Sequence, residues 1–184
     1  MLRRLAPLLT TLLTVLLDTA VIPVLYTGRF LVPLSLVVVI LIGIQLGRIS
    51  GMLYGMIAGL LMDISTGNIG MKFFPYIAIG FLIGFLLDQQ PEIRRGMERI
   101  DRIHIIAIRL IWIMVLVLLH EIVMLVIQYF NTAMFKWSYV GTLLIRAALT
   151  TLLAQLLYPL TRLIYRGKEK AVGGSRSTRE VKNF

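Results

Sequence analysis

The sequence predicts an all-α integral membrane protein, a bundle of six transmembrane helices. Hydrophobic residues make up 58% of its 184 residues, and the mean hydropathy is +0.87. Both values exceed what a soluble domain with one buried core usually shows. The apolar residues also come in successive stretches near the ~20 residues that cross a bilayer core of about 30 Å. Lipid, rather than water, is therefore expected to be the main solvent.

Six apolar stretches follow one another, and each predicts one helix. They cover residues 5–25, 30–46, 49–65, 73–87, 103–130 and 140–165. The second, third and fourth are short, since a helix of ~16 residues rises only ~24 Å. They must extend into flanking residues or lie where the bilayer is thin, and a re-entrant hairpin remains an alternative. Residues 1–166 are predicted to form one transmembrane domain, and the polar, basic residues 167–184 a disordered cytoplasmic tail.

The positions of the basic residues predict the orientation. Most of the 19 lysines and arginines precede the first stretch, follow the second, fourth or sixth, or lie in the tail. Cytoplasmic loops retain positive charge during insertion, so both termini are expected in the cytoplasm. The net charge of +10 does not indicate nucleic-acid binding, because these residues do not share one soluble face. They are expected to face anionic lipid instead.

The motifs of catalysis and metal binding are missing from the sequence. Without cysteine there is no thiol nucleophile and no thiolate metal site. We find no phosphate loop, no metalloprotease motif and no serine-histidine-aspartate spacing. His120 lies beside Glu121, but adjacent helical residues point about 100° apart, which does not favour a metal site. We predict that the chain is not an enzyme and binds neither a cofactor nor a metal.

Glycines recur every four residues along the third stretch. Residues four apart share one face of a helix, so this face lacks side chains and ends in a carboxylate. Another helix can approach such a face closely within the membrane. Packing on the fourth stretch, which repeats the pattern, and packing on a partner's helix both remain open. The residues of the two faces are Gly51, Gly55, Gly59, Asp63, Gly67, Gly80 and Gly84.

Ionisable side chains inside the stretches predict ion pairs, because an unpaired charge in the membrane is costly. Counted from the outer ends at about 1.5 Å per residue, Glu121 and Arg146 have similar depths. We expect Arg146 to pair with Glu121 or Asp18 as a structural contact, with a proton path or a substrate site as alternatives. Towards the cytoplasm, Arg109 could pair with Asp88 or extend to the interface.

Residues 47–84 resemble the bacterial rod-shape-determining MreD family. The resemblance rests on a glycine-rich helix ending in GLLxD, a G-x-x-G turn, a proline-tyrosine pair and a second GxxxG. Those positions are here Gly51, Gly55, Gly59, Leu60, Leu61, Asp63, Gly67, Gly70, Pro75, Tyr76, Gly80 and Gly84.

The resemblance implies a scaffold of the cell-elongation complex in the bacterial inner membrane, which controls peptidoglycan synthesis and rod shape. Its implied partners are MreC, MreB, RodA and the elongation penicillin-binding transpeptidase, with the glycine face as a docking surface for MreC. The family is similar in fold to the S components of energy-coupling-factor vitamin transporters, and such a component is the alternative function. A vitamin site needs several converging polar side chains, of which the sequence offers few beyond Asp18, Asn68, Glu121 and Arg146.

Overall fold

The computed structural model describes residues 2–25, 32–67, 70–88, 99–132 and 138–165. Within these ranges every regular element is helical, and the helices form six rods. The first rod consists of α1 (Leu2–Leu16), a π-helical turn (Leu17–Val21) and α2 (Ile22–Leu25). The other five are α3 (Leu34–Leu46), α4 (Arg48–Thr66), α5 (Phe73–Asp88), α6 (Arg99–Thr132) and α7 (Ser138–Tyr165). The predicted six-helix bundle is confirmed, while the expected tail at 167–184 lies outside the described residues.

Helix α3 is the centre of the bundle. It contacts α1, α4, α5 and α7, and every residue from Ser35 to Gly43 is buried. A helix that is apolar on all sides has no face to present to water, so complete enclosure by other helices suits its composition. With 13 residues it rises only about 20 Å, but protein rather than lipid surrounds it.

Four of the rods contain segments long and apolar enough to cross a membrane. These segments are Leu5–Val24, Arg48–Thr66, Ile106–Ile127 and Val140–Ile164. Two apolar helices are shorter, at Leu34–Leu46 and Phe73–Leu87. Large apolar side chains are exposed along the outer surfaces of α1, α4, α6 and α7, which is the pattern expected where helices face acyl chains.

Glycines bring α4 and α5 into direct backbone contact. Gly51 of α4 lies against the carbonyl of Gly80 of α5, and Gly55 lies against the carbonyl of Tyr76. A Cβ atom on Gly59 would stand 2.7 Å from the Cα of Phe73, closer than such atoms approach. The glycine face of α4 is thus filled by α5 of the same chain. This packing leaves no room on that face for the MreC helix that the family resemblance implied.

The turns at the ends of α4 use glycines with positive φ. Gly47, at φ 89°, separates α3 from α4, so these two helices form a hairpin with one connecting residue. Gly67, at φ 70°, ends α4 in the left-handed conformation. A side chain at either position would strain the backbone, because left-handed φ values are readily available only to glycine.

The two ends of the bundle differ in charge. All three carboxylates with described side chains, Asp18, Asp63 and Glu121, lie at one end, which we call the carboxylate end. Arg48, Arg109 and Arg162 lie at the opposite end, which we call the arginine end. Lys72 and Arg146 are the described cations at the carboxylate end.

Candidate functional site

At the carboxylate end, Asp18 of the first rod holds the beginning of α3. Its two carboxylate oxygens accept hydrogen bonds from the backbone N–H groups of Leu34, at 3.0 Å, and Ser35, at 2.7 Å. The first N–H groups of a helix have no partner within the helix, so a carboxylate there satisfies them and also opposes the positive end of the helix dipole. Asp18 lies in the π-helical turn Leu17–Val21 and is buried. Asp18 therefore caps the N-terminus of α3 from a neighbouring helix.

Asp63 performs a similar task between α4 and α5. Its carboxylate accepts backbone hydrogen bonds from Gly70 at 2.7 Å, Lys72 at 2.9 Å and Phe73 at 3.0 Å. These N–H groups belong to the turn and to the first residue of α5. Because Asp63 is only 1% exposed, water cannot readily replace its bonds. Asp63 therefore fixes the turn that leads into α5.

Tyr76 connects α5 to two other helices. Its hydroxyl lies 3.0 Å from the hydroxyl of Ser35 on α3. Its ring packs edge-on against the imidazole of His120 on α6, with ring centroids 5.7 Å apart. Tyr76 is fully buried, and Pro75 precedes it in the first turn of α5, where proline is tolerated because no N–H is needed.

Glu121 of α6 lies between a histidine and an arginine. One carboxylate oxygen is 3.5 Å from Nη1 of Arg146 on α7, and the other is 3.7 Å from Nδ1 of His120. The side chain of Glu121 is 5% exposed, whereas that of Arg146 is 32% exposed. The buried anion of α6 is thus balanced by a cation that reaches the surface of the bundle.

Three buried polar atoms beside this pair have no hydrogen-bond partner among the described residues. They are both imidazole nitrogens of His120 and the Glu121 oxygen that faces them. Leaving a buried donor or acceptor unsatisfied costs about 1–3 kcal/mol. These atoms therefore keep unused hydrogen-bonding capacity inside the bundle.

Lys72, in the turn before α5, adds a second cation to the carboxylate end. Burial lowers the pKa of its ammonium group, while the negative charges of Asp63 and Asp18 act in the opposite direction. We call Asp18, Ser35, Lys72, Tyr76, His120, Glu121 and Arg146 the polar cluster. It combines cationic, hydroxyl, imidazole and carboxylate groups from all the rods except α4.

The arginine end contains the other intramembrane charge singled out in the sequence. Arg109 of α6 stacks on the ring of Tyr158 of α7, with its guanidinium carbon 3.6 Å from the ring centroid. The side chain of Asp88, which the sequence offers as a partner for Arg109, lies outside the described part of the structure. Gln45 of α3 donates a hydrogen bond of 2.6 Å to Thr161 beside this stack.

Sequence reasoning named only part of the polar cluster. Ser35, Lys72 and His120 were not among the predicted site residues, and Tyr76 was included only as part of the glycine and proline motif. The signal for His120 was its position next to Glu121 in an apolar stretch. Among the described residues, no group of three histidine, aspartate or glutamate side chains could hold a metal ion. Asn68, counted among possible site residues, lies outside the described part.

These features define a membrane-embedded protein with a polar cluster buried between helices at one end. A family model for the S component of ECF-type (energy-coupling-factor) riboflavin transporters matches residues 5–163 of the chain. The match covers most of the sequence, and the chain belongs to this family. Neither the comparison with curated proteins nor that with solved structures finds a match.

The family match corrects several expectations. The assignment to the MreD family is wrong, and so are the implied role in cell shape and peptidoglycan synthesis and the implied partners MreC, MreB, RodA and the transpeptidase. The resemblance covered only residues 47–84, and the structure uses their glycines to pack two helices together. That is a general requirement of close helix packing in membranes rather than a mark of one family.

Other expectations are confirmed by the same match. S components are the substrate-binding subunits of transporters, so the chain is not an enzyme. Family membership together with the apolar helices makes it a multi-pass protein of the inner membrane.

Proposed function

We propose that this chain is the substrate-binding component of an energy-coupling-factor vitamin transporter, and that riboflavin is the first ligand to test. The observation that carries the proposal is the family match across residues 5–163. The partners that follow are the ATPases and the membrane-spanning T component of an energy-coupling module. That module would supply the energy, since the chain itself is not an enzyme.

The polar cluster is the candidate ligand site. Small-molecule sites combine apolar walls with a few placed polar groups, and the cluster offers two cations, two carboxylates, two hydroxyls and an imidazole among apolar helices. The unsatisfied nitrogens of His120 and the unsatisfied oxygen of Glu121 support this choice. Asp18 of the cluster and Asp63 at the same end already accept hydrogen bonds from backbone N–H groups.

In the proposed orientation, the carboxylate end faces outward and both termini are cytoplasmic. The described arginines at the opposite end and the basic residues between the fourth and fifth apolar stretches favour the cytoplasm for that end. The lack of native cysteine allows a direct test with single cysteines at Arg48 and at the exposed Ser65. A membrane-impermeant maleimide should label Ser65→Cys in intact cells and Arg48→Cys only after permeabilisation. The reverse pattern would reject this orientation.

Ligand binding is tested by titrating the purified chain with riboflavin and following quenching of flavin fluorescence. Mass spectrometry of the denatured protein should also detect any ligand retained from the cell. We expect saturable binding that weakens in Glu121→Gln and His120→Ala. Arg48→Gln, at the arginine end, is the matched control and should bind normally. If neither riboflavin nor any retained small molecule binds, the proposed ligand function is rejected.

Partner binding is tested separately by co-expression with the ATPases and T component of an energy-coupling module. Co-purification of a complex that consumes ATP when riboflavin is transported is the expected result. A chain that binds riboflavin but never associates with the module would be a binding protein outside such a transporter.

A further inference from the structure

Arg109 carries a charge inside an apolar helix without an acidic partner among the described side chains. It is the fourth residue of the apolar segment Ile106–Ile127, about 5 Å from its beginning along the helix axis. The guanidinium stacks on the ring of Tyr158 and also hydrogen-bonds its side chain, which engages only part of the five N–H donors that an arginine carries. Its Nε is buried and has no hydrogen-bond partner in the described part of the chain. Arg109 therefore keeps at least one donor, the Nε–H group, for an anion.

A second positive charge reinforces the first. Arg162 lies one helical turn beyond Tyr158 on the same side of α7, so its charge is near the stack. The described carboxylates all lie at the carboxylate end, where Asp18, Asp63 and Glu121 have their own partners. Charged groups within a membrane span are costly unless they are paired. An external anion at this junction would supply Arg109 with a counter-charge that no described side chain provides.

Two glutamine side chains lie on the helices around the Arg109–Tyr158 stack. Gln45 of α3 donates through Nε2 to Oγ1 of Thr161 at 2.6 Å, which leaves its Oε1 buried and without a partner among the described residues. Oε1 of Gln155, three residues before Tyr158 on α7, is buried and unsatisfied in the same way. Amide oxygens accept hydrogen bonds and so would bind hydroxyl groups rather than an anion.

We propose that the junction of α3, α6 and α7 at the arginine end binds the headgroup of an anionic phospholipid that carries both a phosphate and free hydroxyls, as phosphatidylglycerol does. Arg109 donates to the phosphate oxygens, Arg162 supplies further positive charge, and the glutamine oxygens accept from the glycerol hydroxyls. A planar guanidinium suits a phosphate because its fork of N–H groups can engage two oxygens at once.

The surrounding surface favours a lipid over a free phosphate ion. Large apolar side chains are exposed on both helices that flank the stack, namely Ile106, Ile111, Leu160, Leu163 and Ile164. They offer a surface along which acyl chains can lie while the headgroup stays at the depth of Arg109. The site is at the opposite end of the bundle from the polar cluster, so this inference does not depend on the proposed vitamin binding.

The test measures which lipids remain bound to the full chain. Protein reconstituted in phosphatidylcholine with a minor fraction of phosphatidylglycerol is re-extracted and examined by native mass spectrometry. We expect retained phosphatidylglycerol in the wild type and about a tenfold loss in Arg109→Gln, which corresponds to ~1.4 kcal/mol. Arg48→Gln is the matched control, since it removes the same charge at the same end from an exposed position. It should retain the lipid like the wild type.

A second variant tests the hydroxyl contacts without changing charge. Gln155→Leu should weaken retention of phosphatidylglycerol and leave that of phosphatidic acid, which has no glycerol headgroup, unchanged. If Arg109→Gln fails to fold, Gln155→Leu still tests the proposed lipid site. Equal loss of phosphatidylglycerol in Arg109→Gln and Arg48→Gln would overturn the proposed site. So would retention of phosphatidylcholine by the wild type to the same extent as phosphatidylglycerol. Displacement of the lipid by millimolar inorganic phosphate would identify an ion site instead.

Discussion

Arg146 of α7 lies 3.5 Å from the carboxylate of Glu121 on α6, and this contact joins the last two helices of the bundle at the carboxylate end. The two side chains are not equally enclosed, because Glu121 is 5% exposed and Arg146 is 32% exposed. The glutamate therefore depends on the arginine more than the arginine depends on it.

Removal of Arg146 should destabilise the protein by leaving Glu121 charged and buried. Breaking a fully buried pair costs about 3–5 kcal/mol, and the partial exposure of Arg146 should bring the cost below that range. Thermal unfolding in detergent, followed by fluorescence-detected size-exclusion chromatography, measures the effect for Arg146→Ala. Arg146→Lys preserves the charge and is the control, with a smaller expected loss.

Exchange of the two charges tests the pairing itself. The double variant Glu121→Arg with Arg146→Glu should recover part of the stability that each single variant loses, since contacting residues are not additive. Additive losses in the double variant would mean that the two side chains do not interact energetically.

Filling the glycine contact between α4 and α5 should prevent their close approach. Gly55→Ala places a methyl group against the carbonyl of Tyr76, and neither backbone can move away without separating the helices. We expect a clear drop in melting temperature. Gly141→Ala on α7 is the matched control, because nothing lies within 4 Å of its added Cβ. That change should be neutral or stabilising, by up to ~1 kcal/mol, because alanine favours helix. Equal effects of the two variants would contradict the backbone contact.

Loss of the Asp63 carboxylate should loosen the turn before α5. Asp63→Ala leaves three backbone N–H groups without their acceptor, at about 1–3 kcal/mol for each buried group. Hydrogen exchange should accelerate at Gly70, Lys72 and Phe73 while the exchange of central α3 stays slow. Asp63→Asn, which keeps one acceptor oxygen, should show an intermediate effect. Unchanged exchange in Asp63→Ala would mean that these N–H groups have other partners.

The hydroxyl contact between Ser35 and Tyr76 can be measured by a double-mutant cycle. Ser35→Ala and Tyr76→Phe each remove one hydroxyl of this contact, and in Tyr76→Phe the Ser35 hydroxyl keeps Asp18 as a neighbour. Because one hydrogen bond contributes a net ~1 kcal/mol, the double variant should be more stable than the sum of the single losses predicts. A coupling energy of zero would show that water or another group satisfies both hydroxyls.

The family assignment shows how a sequence motif can mislead. The resemblance to the MreD family rested on glycines whose spacing allows two helices to touch, and many membrane bundles need such contacts. In the linear sequence the polar residues are dispersed, which disfavours a transporter component with a converging ligand site. Folding brings Ser35, Tyr76 and His120, which are far apart in the sequence, to the same end as Glu121. That convergence depends on how α3, α5 and α6 pack together, so it cannot be predicted from local sequence patterns.

The sequence by itself determined that the chain is helical and membrane-embedded, because the length and apolarity of each segment limit the secondary structure that it can adopt in a bilayer. Glycine spacing also indicated where backbones could approach, although it left open which helix would fill the face. Only the tertiary structure decided that α5 fills it, that Asp18 caps α3 and that Arg109 stacks on Tyr158. Each of these contacts joins residues distant in the chain, so its formation depends on the packing of whole helices rather than on local preference.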